Sequence, residues 1–181
     1  MSTLVLNNIQ TNQANGIINI ASGNVVYSPG SVIQIQSTTK TDTFTAAPNG
    51  TWTDITGLAV SITPKKASSK IWIVVSVVGA GSSVTQKVRV LRNNSTIAVG
   101  DAAGSRQQAM FGSFLNVDTN QNMAFGSNFY DSPATTNVVT YKMQVNADNS
   151  NTYYLNRSVS DSDNSTGGRY ISTITAIEIA V

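Results

Sequence analysis

Nine residues near the middle of the chain, Lys70-Ile-Trp-Ile-Val-Val-Ser-Val-Val78, are apolar on both parities of a β-strand. Side chains alternate across a strand, so Ile71, Ile73, Val75 and Val77 share one face, and Trp72, Val74 and Val78 the other. A strand apolar on both faces is ordinarily covered on both. A two-sheet sandwich covers only the inner face of each sheet. The surplus predicts a contact between subunits, with Ile71 and Ile73 among the residues that make it. A second apolar, β-branched segment is Arg169-Tyr-Ile-Ser-Thr-Ile-Thr-Ala-Ile-Glu-Ile-Ala-Val181. Terminal segments are normally polar and frayed. This one is expected to be pinned in a sheet, with Ile177 and Ile179 joining the same contact.

Other strand patterns recur at short spacing. Val32-Ile-Gln-Ile35 begins the body, and Trp52-Thr-Asp-Ile55 and Leu58-Ala-Val-Ser-Ile62 flank Thr56-Gly57, which reads as a hairpin turn or a bulge. Gln86–Val90 alternates with Val88 and Val90 inward; Thr140–Asn146 places Tyr141, Met143 and Val145 on one face. Met110–Leu115 and Met123–Tyr130 are aromatic strands, and Thr152–Asn156 is a short amphipathic one. No window carries a helical i, i+3, i+4 pattern. The fold class expected is all-β, an antiparallel sandwich or jelly roll over residues 31–181.

Residues 1–30 form a separate unit. Leu4–Leu6 with Ile9, then Ile17, Ile18 and Ile20, then Val25–Tyr27 are three apolar pieces divided by turn-like stretches. Three brief strands do not bury themselves alone. Winding with identical copies would bury them, so Ile9, Ile17, Ile18 and Ile20 are expected at a trimer interface in a short β stem. An arm packed on its own domain, or one that orders only on a partner, is the other reading. Ser28-Pro29-Gly30 forms the joint.

Composition narrows the function classes. Only 11% of residues are charged and the formal net charge is +2, too few and too scattered for a phosphate backbone. No stretch approaches the ~20 apolar residues of a membrane span, and the first residues lack a signal-peptide pattern. Synthesis in a cytoplasm is expected, with neither membrane insertion nor nucleic acid as a partner. Ser, Thr and Asn, roughly a third of the chain, supply the polarity. Cysteine and histidine are absent, which removes Ser–His and Cys–His nucleophile pairs and the usual zinc ligands. The nine carboxylates sit mostly in turn settings, where Asp bonds its own backbone. A depolymerase acting through two of them is the least favoured reading. Asp161-Ser-Asp163 opens like a calcium loop, but Ser172 stands where the acidic twelfth ligand belongs. Asp161 and Asp163 are therefore weak calcium candidates, and no metal or cofactor is expected. Trp52, Tyr130, Tyr153 and Tyr154, near turns or on short strands, are the candidates for contact with a glycan or protein.

Several segments in order carry a resemblance: Ser2–Gln10, Pro29-Gly-Ser-Val-Ile-Gln-Ile35, Thr53–Pro64, Ser68-Ser-Lys-Ile-Trp-Ile73, Tyr154-Leu-Asn-Arg-Ser158 and Ser172–Ala180. Together the chain resembles fibre-like virion proteins of tailed phages, often of marine or cyanobacterial hosts. That resemblance implies a trimeric jelly-roll head, similar to tumour-necrosis-factor-like heads, on a short trimeric stem. It implies no catalytic motif. The function expected is a short tail fibre or fibre tip that attaches to a host-surface glycan or protein by multivalent contact. Its N-terminal segment would dock on another virion protein. A capsid-decorating or cement protein without a receptor is the alternative.

Overall fold

The computed structural model describes residues 27–81, 85–114, 120–148, 151–165 and 167–181. The stem candidates Ile9, Ile17, Ile18 and Ile20 lie outside the described residues. Eleven strands follow in order: β1 (Val32–Lys40), β2 (Phe44–Ala46), β3 (Thr53–Ile62), β4 (Lys70–Gly81), β5 (Thr85–Arg92), β6 (Ser95–Ile97), β7 (Phe111–Phe114), β8 (Met123–Asp131), β9 (Val139–Ala147), β10 (Tyr153–Leu155) and β11 (Ser172–Ile179). No helix occurs among the described residues.

The strands build two antiparallel sheets. In the first, β4 is flanked on one side by β8 and on the other by β11 and β10, which lie end to end along it; β1 continues outward from β11, and β2 from β10. In the second the order is β3, β9, β5, with β7 and β6 sharing the far side of β5. The principal partners are nested along the chain: β1 with β11, β3 with β9, β4 with β8, and β5 with β6 and β7. This is an antiparallel β-sandwich.

The core lies between the sheets. Ile71, Ile73, Val75 and Val77 of β4 and Ile174 and Ala176 of β11 face Leu58, Val60, Ile62, Val88, Val90, Tyr141, Met143 and Val145, all buried. The alternation expected for β5 and β9 is therefore present. For Ile71 and Ile73 the expectation of a subunit contact is corrected. Both are fully enclosed within one chain, because the parity that carries them is the one β4 turns toward the second sheet. The outward parity carries Trp72, Val74 and Val78, each half-buried. β11 holds a related surprise: Glu178 points inward and is buried, while Ile177 and Ile179 point outward.

Residues 53–62 form one strand rather than a hairpin. The register on β9 passes from Asp54 opposite Gln144 to Ala59 opposite Lys142, so four residues bulge against one. Gly57 takes φ +81° there, a left-handed conformation that favours glycine. The bulge lets Ile55 and Leu58, three residues apart, both enter the core. The aromatic strands β7 and β8 lie in opposite sheets, where Phe111 stacks on Phe125 at 6.0 Å between centroids and links them.

Candidate functional site

The register places a row of apolar side chains across the outer face of the first sheet. Ile35 pairs with Ile177, Ile177 with Trp72, and Trp72 with Tyr130. The row thus crosses β1, β11, β4 and β8, from one edge to the other. Val32 and Ile179 pair in the next position toward the joint. Trp72 and Tyr130 stack with ring centroids 5.8 Å apart, and the Trp72 indole Nε1 donates to Asn128 Oδ1 at 3.1 Å. Val32, Ile35, Tyr130 and Val181 are 54%, 57%, 60% and 61% exposed. They are too close together to count as the scattered apolar residues of an ordinary surface.

The same end of the sheet receives the joint. Gly30 N donates to Ala180 O, Ala180 N donates to Ser31 O, and Pro29, Gly30, Lys70, Tyr130, Ile179, Ala180 and Val181 line one open depression. Beneath it, Glu178 accepts from Gln34 Nε2 at 2.6 Å and from Lys65 N at 2.7 Å. Those donors explain how a carboxylate occupies the inward parity at this end of the sandwich. Ile177 and Ile179 therefore stand on the outer face of the first sheet. Val32, Ile35 and Val181 join them although the residue pattern gave no sign of it, and Tyr130 belongs to this row.

The outer face of the second sheet is of another kind. Arg89 donates through Nε and Nη2 to Gln144 Oε1, Gln144 Nε2 donates to Asp54 Oδ1, and Lys142 Nζ binds Asp54 Oδ2 at 2.7 Å. The Arg89 guanidinium lies 4.1 Å over the Trp52 ring. Lys87 pairs with Asp148 beside this array. Trp52 is half-buried there and combines an aromatic surface with an ordered rank of donors and acceptors, the combination that sugar or protein epitopes use.

The remaining candidates separate. Tyr154 is half-buried with the Arg157 guanidinium 4.4 Å over its ring, and Arg157 Nη2 reaches Thr45 Oγ1. Tyr153 is corrected: it is buried on the opposite parity, its ring packed where Gly79 leaves room, and cannot touch a receptor. A Cβ at Gly79 would lie 2.9 Å from the Tyr153 hydroxyl. Asp161 is held by both Arg157 and Arg169, so a calcium ion there would have to displace two guanidiniums. Asp163 is exposed. Among the described residues no group of three metal-ligating side chains forms. Asp42, Asp54, Asp131, Asp148 and Asp161 are each paired with lysine or arginine, an arrangement suited to fixing strands and loops.

Two predictions arise here. The Tyr153 hydroxyl is buried without a hydrogen-bond partner. Removing an orphaned polar group releases its desolvation cost, so Tyr153→Phe should be neutral or stabilising by about 1 kcal/mol. A clear loss of stability in urea titration would contradict that. The second concerns pH. Bonding to Lys142 holds Asp54 below the usual carboxylate range, and bonding to Lys40 does so for Asp42. A carboxyl lowered on folding adds stability above its unfolded value of about 3.9, lost as pH falls through the folded value. Burial pushes the Tyr141 and Tyr153 phenols upward. Their contribution is full below the unfolded value of about 10 and is lost as pH rises beyond it. With no histidine in the chain, the thermal midpoint should be level from about pH 5 to 9, falling below about 4 and above about 10. Scanning calorimetry across that range checks the shape, and a step near pH 6.5 would refute it.

Comparison with models of known protein families and with curated proteins returned no match.

Proposed function

We propose that the chain is a virion component of a tailed phage, a homotrimer whose jelly-roll head adheres to the host surface and whose N-terminal segment docks on the particle. The observation that carries this reading is the nested pairing, β1 with β11, β3 with β9, β4 with β8, and β5 with β6 and β7. Rolling up one long hairpin into a double Greek key, as in viral capsid and lectin domains, would give such nesting, which supports reading the sandwich as a jelly roll. The resemblance of the ordered segments to fibre-like virion proteins points the same way. The absence of histidine and cysteine from the sequence and the pairing of most carboxylates favour adhesion over catalysis.

Adhesion works by multiplicity. Three weak sites on one trimer, and many trimers on one particle, raise avidity without strong single contacts. The contact surface is the polar outer face of the second sheet, with Trp52 and the Arg89–Gln144–Asp54–Lys142 array; Tyr154, on β10 of the first sheet, is a second aromatic on the opposite side of the sandwich. The protein is made in the host cytoplasm and works on the virion surface.

Binding of fluorescent full-length protein to candidate host cells and to their isolated envelope glycans tests the proposal. Saturable binding is expected, weakened at least tenfold by Trp52→Ala or Tyr154→Ala. If no cell or glycan binds, and labelled protein maps to the capsid shell of intact particles, the chain is a decorating protein and the adhesion reading fails.

A further inference from the structure

We infer that the apolar row Ile35–Ile177–Trp72–Tyr130, with Val32 and Ile179 beside it, is the seat of a second copy of this chain. The inference rests on the homotrimer in the reading above and assigns the surface through which copies meet.

Three observations select that occupant. The row crosses the whole width of the first sheet, so it reaches both sheet edges at once. Neither edge is defended by charge: β1 carries none from Val32 to Thr39, where it has only a register shift between Val32 and Gln34, and β8 carries none from Met123 to Tyr130. Edge strands exposed to water usually carry lysine, proline or other charge that forbids pairing. The second observation is how charge divides between the two outer faces. Arg89, Lys142, Lys87, Asp54 and Asp148 gather on the second sheet, while the row itself is uncharged and Lys70 lies opposite Ile179 in the position beside it. Side chains close to a symmetry axis lie near copies of themselves, so charge placed there would meet its like. A neutral apolar face is what a second copy can cover without that repulsion. A partner of different chemistry would find nothing here to read except apolar area.

The third observation is where the chain enters. Residues 1–26 join through Tyr27–Gly30, and Gly30 is hydrogen-bonded to Ala180 beside Tyr130 and Val181. Copies that meet along the row bring three N-terminal segments to one end of one axis.

The test is the mass of the full-length protein by size exclusion with light scattering. Ile35→Asp, Tyr130→Asp and Ile177→Asp all change outward side chains, and Val138→Asp, exposed and away from the row, is the control. The wild type and the control should scatter as three copies of the 19.1 kDa chain. Each row variant should fall threefold in mass, to one copy, with an unchanged circular-dichroism spectrum. Row variants that keep the wild-type mass would overturn the assignment while leaving the homotrimer intact. A wild type that scatters as one copy at every concentration would overturn both, and would leave host binding to be judged by the cell assay. A trimer that dissociates as expected but binds no host surface would uphold this surface and reject adhesion.

Discussion

Asn156→Ala is expected to lower the unfolding free energy by about 3 kcal/mol, a large share of the 5–15 kcal/mol that holds a domain together. Asn156 follows β10 and is fully buried in the left-handed region at φ +60°. Its Nδ2 donates to the carbonyls of Lys40 and Asp42, each at 2.9 Å, and its Oδ1 accepts from Ser172 Oγ at 2.7 Å. Ser172 Oγ accepts in turn from Val78 N, while the Asn156 backbone N donates to Val78 O. One side chain therefore ties the end of β1, the approach to β2 and the start of β11, next to β4. Alanine would strand those partners in the interior, each costing about 1–3 kcal/mol if it finds no water. It would also occupy a left-handed conformation that costs about 1 kcal/mol more than in glycine. Asn156→Gly should thus be milder than Asn156→Ala by about 1 kcal/mol. Urea midpoints at constant slope measure both, and an Asn156→Ala loss under about 1 kcal/mol would remove the network from this account.

Asp131→Ala is expected to cost about the same, near 3 kcal/mol, through a different mechanism. Asp131 ends β8 in the first sheet, yet its carboxylate accepts from Arg92 Nη1 at 2.8 Å and from the Tyr141 hydroxyl at 2.7 Å in the second. It clasps the two sheets with a largely buried charge. Removing the acid leaves a guanidinium and a phenol facing a void. Arg92 keeps a side chain 31% exposed, so water partly rescues it and the loss stays at the low end of the range for broken buried pairs. Asp131→Asn preserves an acceptor of the same shape and should lose about half as much. Equal losses for alanine and asparagine, measured in the same titration, would show that charge alone matters.

Strand existence was legible in the residues, and strand orientation was legible only in part. In β5 and β9 polar residues alternate with apolar ones, so Val88, Val90, Tyr141, Met143 and Val145 declare their inner face. β4 offers apolar residues on both parities, and nothing local says which one a second sheet will cover. The residue pattern therefore leaves Ile71 and Ile73 open to a subunit contact, and Trp72 on the other parity is the one that faces outward. In β11 the alternation misleads if read by polarity alone, because Glu178 is inward. Its donors, Gln34 and the backbone of Lys65, lie more than a hundred positions away. Tyr153 and Tyr154 are neighbours on a strand of three residues, too short to show a period. What decides between them is Gly79 on β4, whose missing side chain makes room for one ring. The exposed row is the extreme case. Its members come from positions 35, 72, 130 and 177, and only the register of four strands assembles them.

Nested pairing also sets a timetable. β11 supplies the partner for both β1 and β4, and it is the latest-made of the described strands. Until the ribosome has released residues 172–179, the first sheet is split into halves and Val32 has no Ile179 beside it. A topology dominated by such distant partners folds slowly, in milliseconds to seconds. If copies meet as proposed above, nascent chains still lacking β11 would lack that surface, which postpones association until residues 172–179 have emerged.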